Sequence, residues 1–242
     1  DIEPEMLAEP LIRLRICMDI TLPQAILLLS LNDETGKTED GYYQPALAGA
    51  ALAELLLRRT IELQDSPEAV MPLRHRETLG VFLSMCDQEI GGAPKPRDLN
   101  YWIAQLANQK DFIATLADEL CHLGALSREE TRVFGLFTRT VWPEASPDLE
   151  TALKQDMAHA MFKDTGPVNE ELCLTIALAN AGDLLSHNFP ADLLTKHAER
   201  VVAISAGNCL STASSEAVME AVNRAIRAAN AVAESASASI QN

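Results

Sequence analysis

The chain has 242 residues, of which 48% are hydrophobic, and carries a formal net charge of −16. Such a hydrophobic fraction suffices for a packed core, whereas so acidic a surface repels nucleic-acid phosphates, which excludes nucleic acid as the expected partner. The five cysteines are widely spaced and show no Cys-x-x-Cys pattern, which favours reduced thiols in a cytoplasmic protein over disulfides or zinc. No apolar run reaches the roughly 20 residues that span a bilayer, and the first residues lack the order of a signal peptide.

The first quarter of the chain predicts two apolar helices joined by a polar turn. The first run, 22–31, follows Thr21, and a Gln three residues after this Thr completes the capping-box pattern. The turn, 32–37, contains Gly36, which can supply the positive φ that a tight turn needs. The second run, 46–61, is rich in Ala and Leu. This arrangement predicts a helical hairpin that is apolar on most of its surface.

Further helices are predicted where apolar residues recur at spacings of three and four. These segments are 99–106, 112–123, 149–161, 172–185, 193–204 and 217–232. Residues 91–96 contain two glycines and two prolines and predict a loop, and residues 65–76, also with two prolines, predict a second irregular segment. The pattern therefore favours a mainly α fold with seven or eight helices.

One β-hairpin is predicted after Gly124, which fits the residue that ends a helix. Two short β-prone pieces follow, 133–137 and 138–143. The apolar residues of this hairpin are Phe134, Leu136, Phe137, Val141 and Trp142. Exposed, they would insert into a membrane interface or pack against another subunit; alternatively, alternate residues face the core.

The organisation expected from these elements is a single globular multi-helix domain. Residues 1–20 form an N-terminal extension, 21–227 the helical domain, and 228–242 an Ala- and Ser-rich tail that we expect to be flexible.

Catalytic and metal-binding patterns are missing from the sequence. The five histidines show neither His-x-x-x-His nor His-Glu-x-x-His spacing, and there is no nucleophile elbow or phosphate-binding Gly-rich loop. Asp183 lies in an otherwise apolar predicted helix; a buried carboxylate there would require a partner, through either a structural hydrogen bond or a catalytic role beside His159 or His187. The sequence thus predicts no enzyme, no cofactor and no metal site.

Four segments, in order and with similar spacings, resemble the Golgi phosphoprotein 3 family, which carries the GPP34 domain. They are the opening helix–turn–helix, Trp102–Leu106, Phe112–Leu126 and Leu174–Phe189, and the resemblance runs from about residue 21 to residue 202. It identifies the chain as a distant, bacterial-type member. The resemblance implies a helical fold with a hydrophobic β-hairpin at the matching place, and a non-enzymatic protein that binds peripherally to membranes.

The same resemblance implies a binding pocket for phosphatidylinositol 4-phosphate, built in eukaryotic members from a Trp, an Arg in the following helix and two further basic residues. The four matching positions here hold Glu39, Ala48, Lys110 and Ile113. A phosphate needs several converging donors, so we expect this pocket to be largely lost. The candidates left for headgroup contact are Lys110, Tyr42, Tyr43 and Arg58, the last of which is more simply explained as a cation at the end of a helix.

The sequence is therefore compatible with two functions. In the first, the chain is a peripheral membrane module that binds an anionic phospholipid headgroup or the cytosolic tails of membrane proteins. In the second, it is a cytosolic interaction scaffold, a homo-oligomer formed through the hairpin without lipid binding, which the charge of −16 and the apolar Ala48 and Ile113 favour.

Overall fold

The computed structural model describes residues 20–38, 43–66, 68–73, 79–109, 111–133, 137–208, 224–229 and 231. The expected N-terminal extension, apart from Ile20, lies outside these residues.

Helices dominate the described part of the chain. They are α1 (Leu22–Ser30), α2 (Tyr43–Leu57), α3 (Val81–Gly91), α4 (Leu99–Ala107), α5 (Phe112–His122), α6 (Asp148–Phe162), α7 (Glu170–Ala181), α8 (Leu184–Asn188), α9 (Ala191–Lys196), α10 (Ala198–Ser205) and α11 (residues 224–229). The strands are β1 (Ile61–Asp65), β2 (Glu68–Pro72), β3 (Glu129–Val133) and β4 (Phe137–Val141), which pair as two antiparallel hairpins, β1–β2 and β3–β4. The prediction of a mainly α fold with a hairpin after Gly124 is confirmed, but its strands begin earlier than the predicted pieces 133–137 and 138–143.

Helices α1 and α2 lie at the centre of the core. Every residue of α1 is buried, and so are nearly all residues of α2. Because both helices are apolar all round, they are stable only when other helices cover them on several sides. Two glycines allow this close packing: a Cβ on Gly49 would lie 2.9 Å from Ala229 Cβ in α11, and one on Gly182 would lie 2.9 Å from Ala46 Cβ.

The hairpin β1–β2 occupies residues that the sequence predicts to be the end of a helix and an irregular segment. Helix α2 ends at Leu57 because Arg59 turns the chain with a φ of +53° and the N–H of Thr60 bonds back to the carbonyl of Leu55. The strands then pair from Ile61 opposite Pro72 to the turn. Pro72 is tolerated at the strand end because it need not donate to the ladder there. The irregular segment predicted for 65–76 is wrong for Glu68–Pro72, whereas residues 67 and 74–76 lie outside the described part of the chain.

The helix predicted through Asp183 is broken at that residue. Asp183 has a φ of +58° and separates α7 from α8, and its side chain is exposed, accepting a hydrogen bond from Ser186 Oγ at 3.0 Å. The carboxylate of Asp183 is therefore not buried, and the predicted continuous helix over 172–185 is wrong at this residue.

Helix α11, residues 224–229, includes the first two residues of the predicted tail, whereas 230 and 232–242 lie outside the described residues, so the flexibility of the tail stays a prediction. Ala225, Ile226 and Ala229 of α11 are buried against the core, and Arg224 pairs with Asp65 and with Glu68 at the turn of β1–β2. The small side chain of Ala229 permits the close approach of α11 to Gly49 in α2.

Candidate functional site

The polar turn between α1 and α2 has the predicted conformation. The N–H of Asn32 donates to the carbonyl of Lys37 at 2.8 Å, and the N–H of Gly36 donates to the carbonyl of Asn32 at 2.8 Å. Asn32 Oδ1 also accepts the N–H of Thr35 at 2.9 Å. Gly36 has a φ of +59°, which confirms its expected role.

This turn contacts the base of the β3–β4 hairpin. The N–H of Trp142 donates to the carbonyl of Gly36 at 3.0 Å, and the N–H of Glu144 donates to the carbonyl of Asp33 at 3.1 Å. A Cβ on Gly36 would lie 2.2 Å from the nitrogen of Pro143, so only glycine permits the contact. The base of the hairpin is thereby fixed to the centre of the fold.

The five apolar hairpin residues divide into a base and a tip. Val141 is only 2% exposed, so its side chain is unavailable for insertion into a membrane, and Trp142 is partly buried against the core. Phe137 begins β4 opposite Val133. Phe134 and Leu136 lie outside the described residues, between the two strands.

The headgroup candidates do not form one site in the described part of the chain. Tyr43 begins α2 and is 8% exposed, whereas Arg58 follows the last residue of the same helix. The 15 residues of α2 separate them by about 22 Å, at about 1.5 Å per residue. Tyr42 and Lys110, the other two candidates, lie outside the described residues.

Two of the matched pocket positions lie against the core. Ala48 is fully buried in α2, and Ile113 in α5 is partly buried and packs on the core. Ala48 therefore presents no side chain to solvent, whereas Ile113 is partly exposed. The loss of the pocket stays a prediction.

Arg58 is paired with a carboxylate that sequence reasoning missed. Its Nε donates to Glu54 Oε1 at 2.7 Å, while Glu54 Oε2 accepts the N–H of Leu22 at 2.9 Å. Glu171 lies close by, and burial and then the negative charge of Glu54 raise the pKa of its carboxyl group. These side chains line a cleft of about 90 Å³, roughly three times the volume of one water and far below that of a typical small-molecule site.

A second carboxylate joins three helices. Glu119 in α5 accepts the N–H of Phe82 through Oε1 at 2.9 Å and the side-chain amide of Gln24 through Oε2 at 3.1 Å. Gln24 Oε1 in turn accepts the N–H of Thr21 at 2.9 Å, as the capping-box pattern predicts. The sequence signal for Glu54 is a lone acid in an apolar helix; Glu119 gives no such signal.

Three carboxylates from distant parts of the chain meet beside the polar turn. The oxygens of Asp33, Glu144 and Glu150 lie within 4.8 Å of one another. Lys154 Nζ lies 2.5 Å from Glu150 Oε1 and supplies positive charge to the group. Burial, and then repulsion by Asp33, raises the pKa of Glu144; burial also raises the pKa of Glu150, against the attraction of Lys154. Oxygen ligands of this kind suit a hard cation. The absence of a metal site stays a prediction.

A serine and a histidine meet on the exposed surface of α8. Ser186 Oγ lies 3.3 Å from His187 Nδ1, and Asp183 Oδ1 bonds to Ser186. In a catalytic triad the carboxylate orients the histidine, whereas here it bonds to the serine, and His187 Nδ1 lies 2.8 Å from the carbonyl of Asp183. This group therefore does not have the geometry of an activated nucleophile.

Within the described residues, no helix has both the length and the apolar character needed to cross a bilayer. The sequence model of the family described as Golgi phosphoprotein 3 (GPP34) matches residues 22–229. A comparison with curated proteins gives no match. The matched range starts at α1 and ends with α11, so it includes every element described above.

Proposed function

Because the chain belongs to the Golgi phosphoprotein 3 (GPP34) family, we propose that it is a non-enzymatic binding module that docks peripherally on membranes from the cytoplasm. The resemblance found in the four sequence segments is confirmed by this membership. The proposed contact element is the tip of the β3–β4 hairpin.

The shape of the hairpin is the observation that supports this proposal most. Its strands pair with each other and make no extensive contact with another described helix or strand. The strand residues Glu129, Glu130, Thr138 and Arg139 are exposed. A polar stem thus carries a sequence, Phe134-Gly135-Leu136-Phe137, whose apolar side chains suit shallow insertion at a membrane interface.

We expect this docking to lack the headgroup specificity of the family. The net charge of −16 opposes attraction to anionic lipids, and the buried Ala48 replaces a basic side chain. Apolar insertion would then supply most of the affinity, so binding should be weak.

Flotation with lipid vesicles tests the proposal. The full chain is mixed with vesicles of phosphatidylcholine alone, with added phosphatidylserine, or with added phosphatidylinositol 4-phosphate. The double variant Phe134→Ser/Leu136→Ser should float several-fold less than the wild type on all three. Val202→Ser, which changes an apolar residue that is 64% exposed on α10, is the matched control and should float like the wild type.

Two results would contradict the proposal. Equal flotation of the double variant and the wild type would exclude the hairpin tip as the contact element. Much tighter binding to vesicles with phosphatidylinositol 4-phosphate than to those with phosphatidylserine would show that the family's pocket is retained.

The second candidate function, an interaction scaffold without a lipid role, is favoured by another feature of the same hairpin. Both strands of β3–β4 have an outer edge, and a third strand is not present in the described part of the chain. Such an edge can pair with a strand from another molecule.

A further inference from the structure

The cleft that contains Glu54 and Arg58 lies where four helices meet. The beginning of α1, the end of α2, the middle of α6 and the first turns of α7 contribute to its walls, and its volume is about 90 Å³. The apolar part of its lining consists of Ile20, Leu22, Ala25, Leu153 and Leu172. A cleft of this size holds about three waters, so it admits only a molecule of a few heavy atoms.

Two hydrogen-bond donors of the cleft have no acceptor. Arg58 uses Nε for its bond to Glu54 Oε1, and its terminal Nη1 and Nη2 groups form no bond within the described residues. Thr21 Oγ1 is buried and also finds no acceptor there. The open end of a guanidinium group matches a carboxylate, because two parallel N–H groups can bond to its two oxygens. The donors of the cleft therefore suit a ligand carboxylate.

A carboxylate of the same cleft lacks a partner as well. The side chain of Glu171 forms no hydrogen bond within the described residues, and burial, followed by the negative charge of Glu54, raises its pKa against the attraction of Arg58. The buried Thr175 Oγ1 donates to the backbone carbonyl of Glu171 at 2.8 Å, so its lone pairs stay available to another donor. An ammonium group, with three donors and a positive charge, suits these acceptors.

A molecule that carries both groups would satisfy the donors and the acceptors together. A lone carboxylate would add negative charge beside Glu54 and Glu171, and a lone ammonium would leave the Thr21 hydroxyl without an acceptor. We infer that the cleft binds a small zwitterionic α-amino acid, with its carboxylate on Arg58 and its ammonium on Glu171. The volume restricts the ligand to glycine or alanine.

This binding goes beyond the proposed membrane function and takes place at a separate part of the fold. Arg58 follows the end of α2 and Glu171 lies in the first turn of α7, so the bound amino acid bridges these two helices. The base of the β3–β4 hairpin instead contacts the turn that precedes α2. A ligand that binds only the folded chain also raises its melting temperature.

Calorimetric titration of the full chain tests the inference with five probes. Glycine and alanine should bind, whereas leucine should not, because its side chain exceeds the volume of the cleft. Acetate and methylammonium each carry one of the two charged groups and should bind at least about tenfold more weakly than glycine.

Two substitutions separate the charged contacts. Glu171→Gln removes the charge that faces the ammonium group, and Arg58→Lys keeps a cation beside Glu54 but loses the fork that matches a carboxylate. Each should raise the dissociation constant of glycine about tenfold. The matched controls are Glu62→Gln and Arg128→Lys, which change exposed side chains outside the cleft and should leave this constant unchanged. Circular dichroism without ligand checks that all four variants are folded.

The results that overturn the inference differ from those that overturn membrane docking. No heat of binding with glycine at millimolar concentrations, or equal affinity for acetate or methylammonium, excludes a zwitterion site. Unchanged glycine affinity in both Glu171→Gln and Arg58→Lys excludes this cleft. None of these results affects vesicle flotation, and Phe134→Ser/Leu136→Ser should bind glycine like the wild type even where its flotation is lost.

Discussion

Glu54, in the last turn of α2, accepts a hydrogen bond from the backbone N–H of Leu22, the first residue of α1, at 2.9 Å. The same carboxylate holds Arg58 Nε at 2.7 Å and is 8% exposed. A carboxylate at the beginning of a helix satisfies an N–H that has no partner within the helix and interacts favourably with the helix dipole. One side chain thus joins the two central helices at the end opposite their turn.

Replacing Glu54 should destabilise the fold. Glu54→Ala leaves a buried N–H and a guanidinium without their acceptor, and we expect the free energy of unfolding to fall by about 2–3 kcal/mol. Glu54→Gln keeps an acceptor for Leu22 and should cost less. Urea unfolding followed by circular dichroism measures both, with the exposed Glu62→Ala as the control. A Glu54→Ala protein as stable as this control would show that the bond contributes nothing.

Glu119, in helix α5, should also contribute to the free energy of unfolding. Glu119→Ala removes the acceptor of the Phe82 N–H and of the Gln24 amide, and should lower the free energy of unfolding by about 1–3 kcal/mol. The neighbouring Asp118 only forms an exposed ion pair with Arg128, so Asp118→Ala should cost less than about 0.5 kcal/mol. Equal losses for the two variants, measured by denaturant unfolding, would argue against the capping role.

Substitutions at Gly36 and Gly124 give a matched pair that tests the contact between the polar turn and the hairpin base. Both have positive φ, but a Cβ on Gly124 meets nothing within 4 Å, whereas one on Gly36 collides with the backbone at Pro143. Gly124→Ala should therefore cost about 1 kcal/mol from backbone strain alone. Gly36→Ala should cost about 3 kcal/mol or more, because the turn must leave the base of the hairpin. Thermal unfolding of the two variants checks this, and comparable melting temperatures would contradict it.

The group of three carboxylates, Asp33, Glu144 and Glu150, should make the free energy of unfolding depend on pH. Because the pKa of Glu144 is raised above its ordinary value of 4.5, the folded chain binds this proton more tightly than the unfolded chain. Stability is therefore lost as pH rises through the folded pKa and regained as pH falls towards the ordinary value. Glu144→Gln removes the ionised form and should raise the melting temperature at pH 7.

The gain in melting temperature of Glu144→Gln over the wild type should disappear at acidic pH. At a pH of about 4, wild-type Glu144 is itself largely protonated, so the two melting temperatures should converge. Glu62→Gln, which changes an exposed carboxylate of β1, is the control. An advantage that persists unchanged at low pH would indicate a cause other than the charge of Glu144.

Local patterns in the sequence were sufficient for the elements that depend on neighbouring residues. The apolar runs of α1 and α2, the Gly36 turn and the capping pattern at Thr21 all act over a few residues, and the structure reproduces them. The β1–β2 hairpin was missed because its strands are short and contain prolines at their margins. The break at Asp183 was missed because apolar residues continue on both sides of it.

By itself the sequence determined the helical class, the position of the β3–β4 hairpin and the family. These three conclusions follow from periodicity and from the order of short motifs, and none of them requires knowledge of a contact between distant residues. Only the tertiary structure decided which carboxylates stabilise the helix ends, and that Val141 and Trp142 form the base of the hairpin. Such facts depend on contacts between residues 32 to more than 100 positions apart, as between Glu54 and Leu22 or Trp142 and Gly36, and no local pattern encodes them.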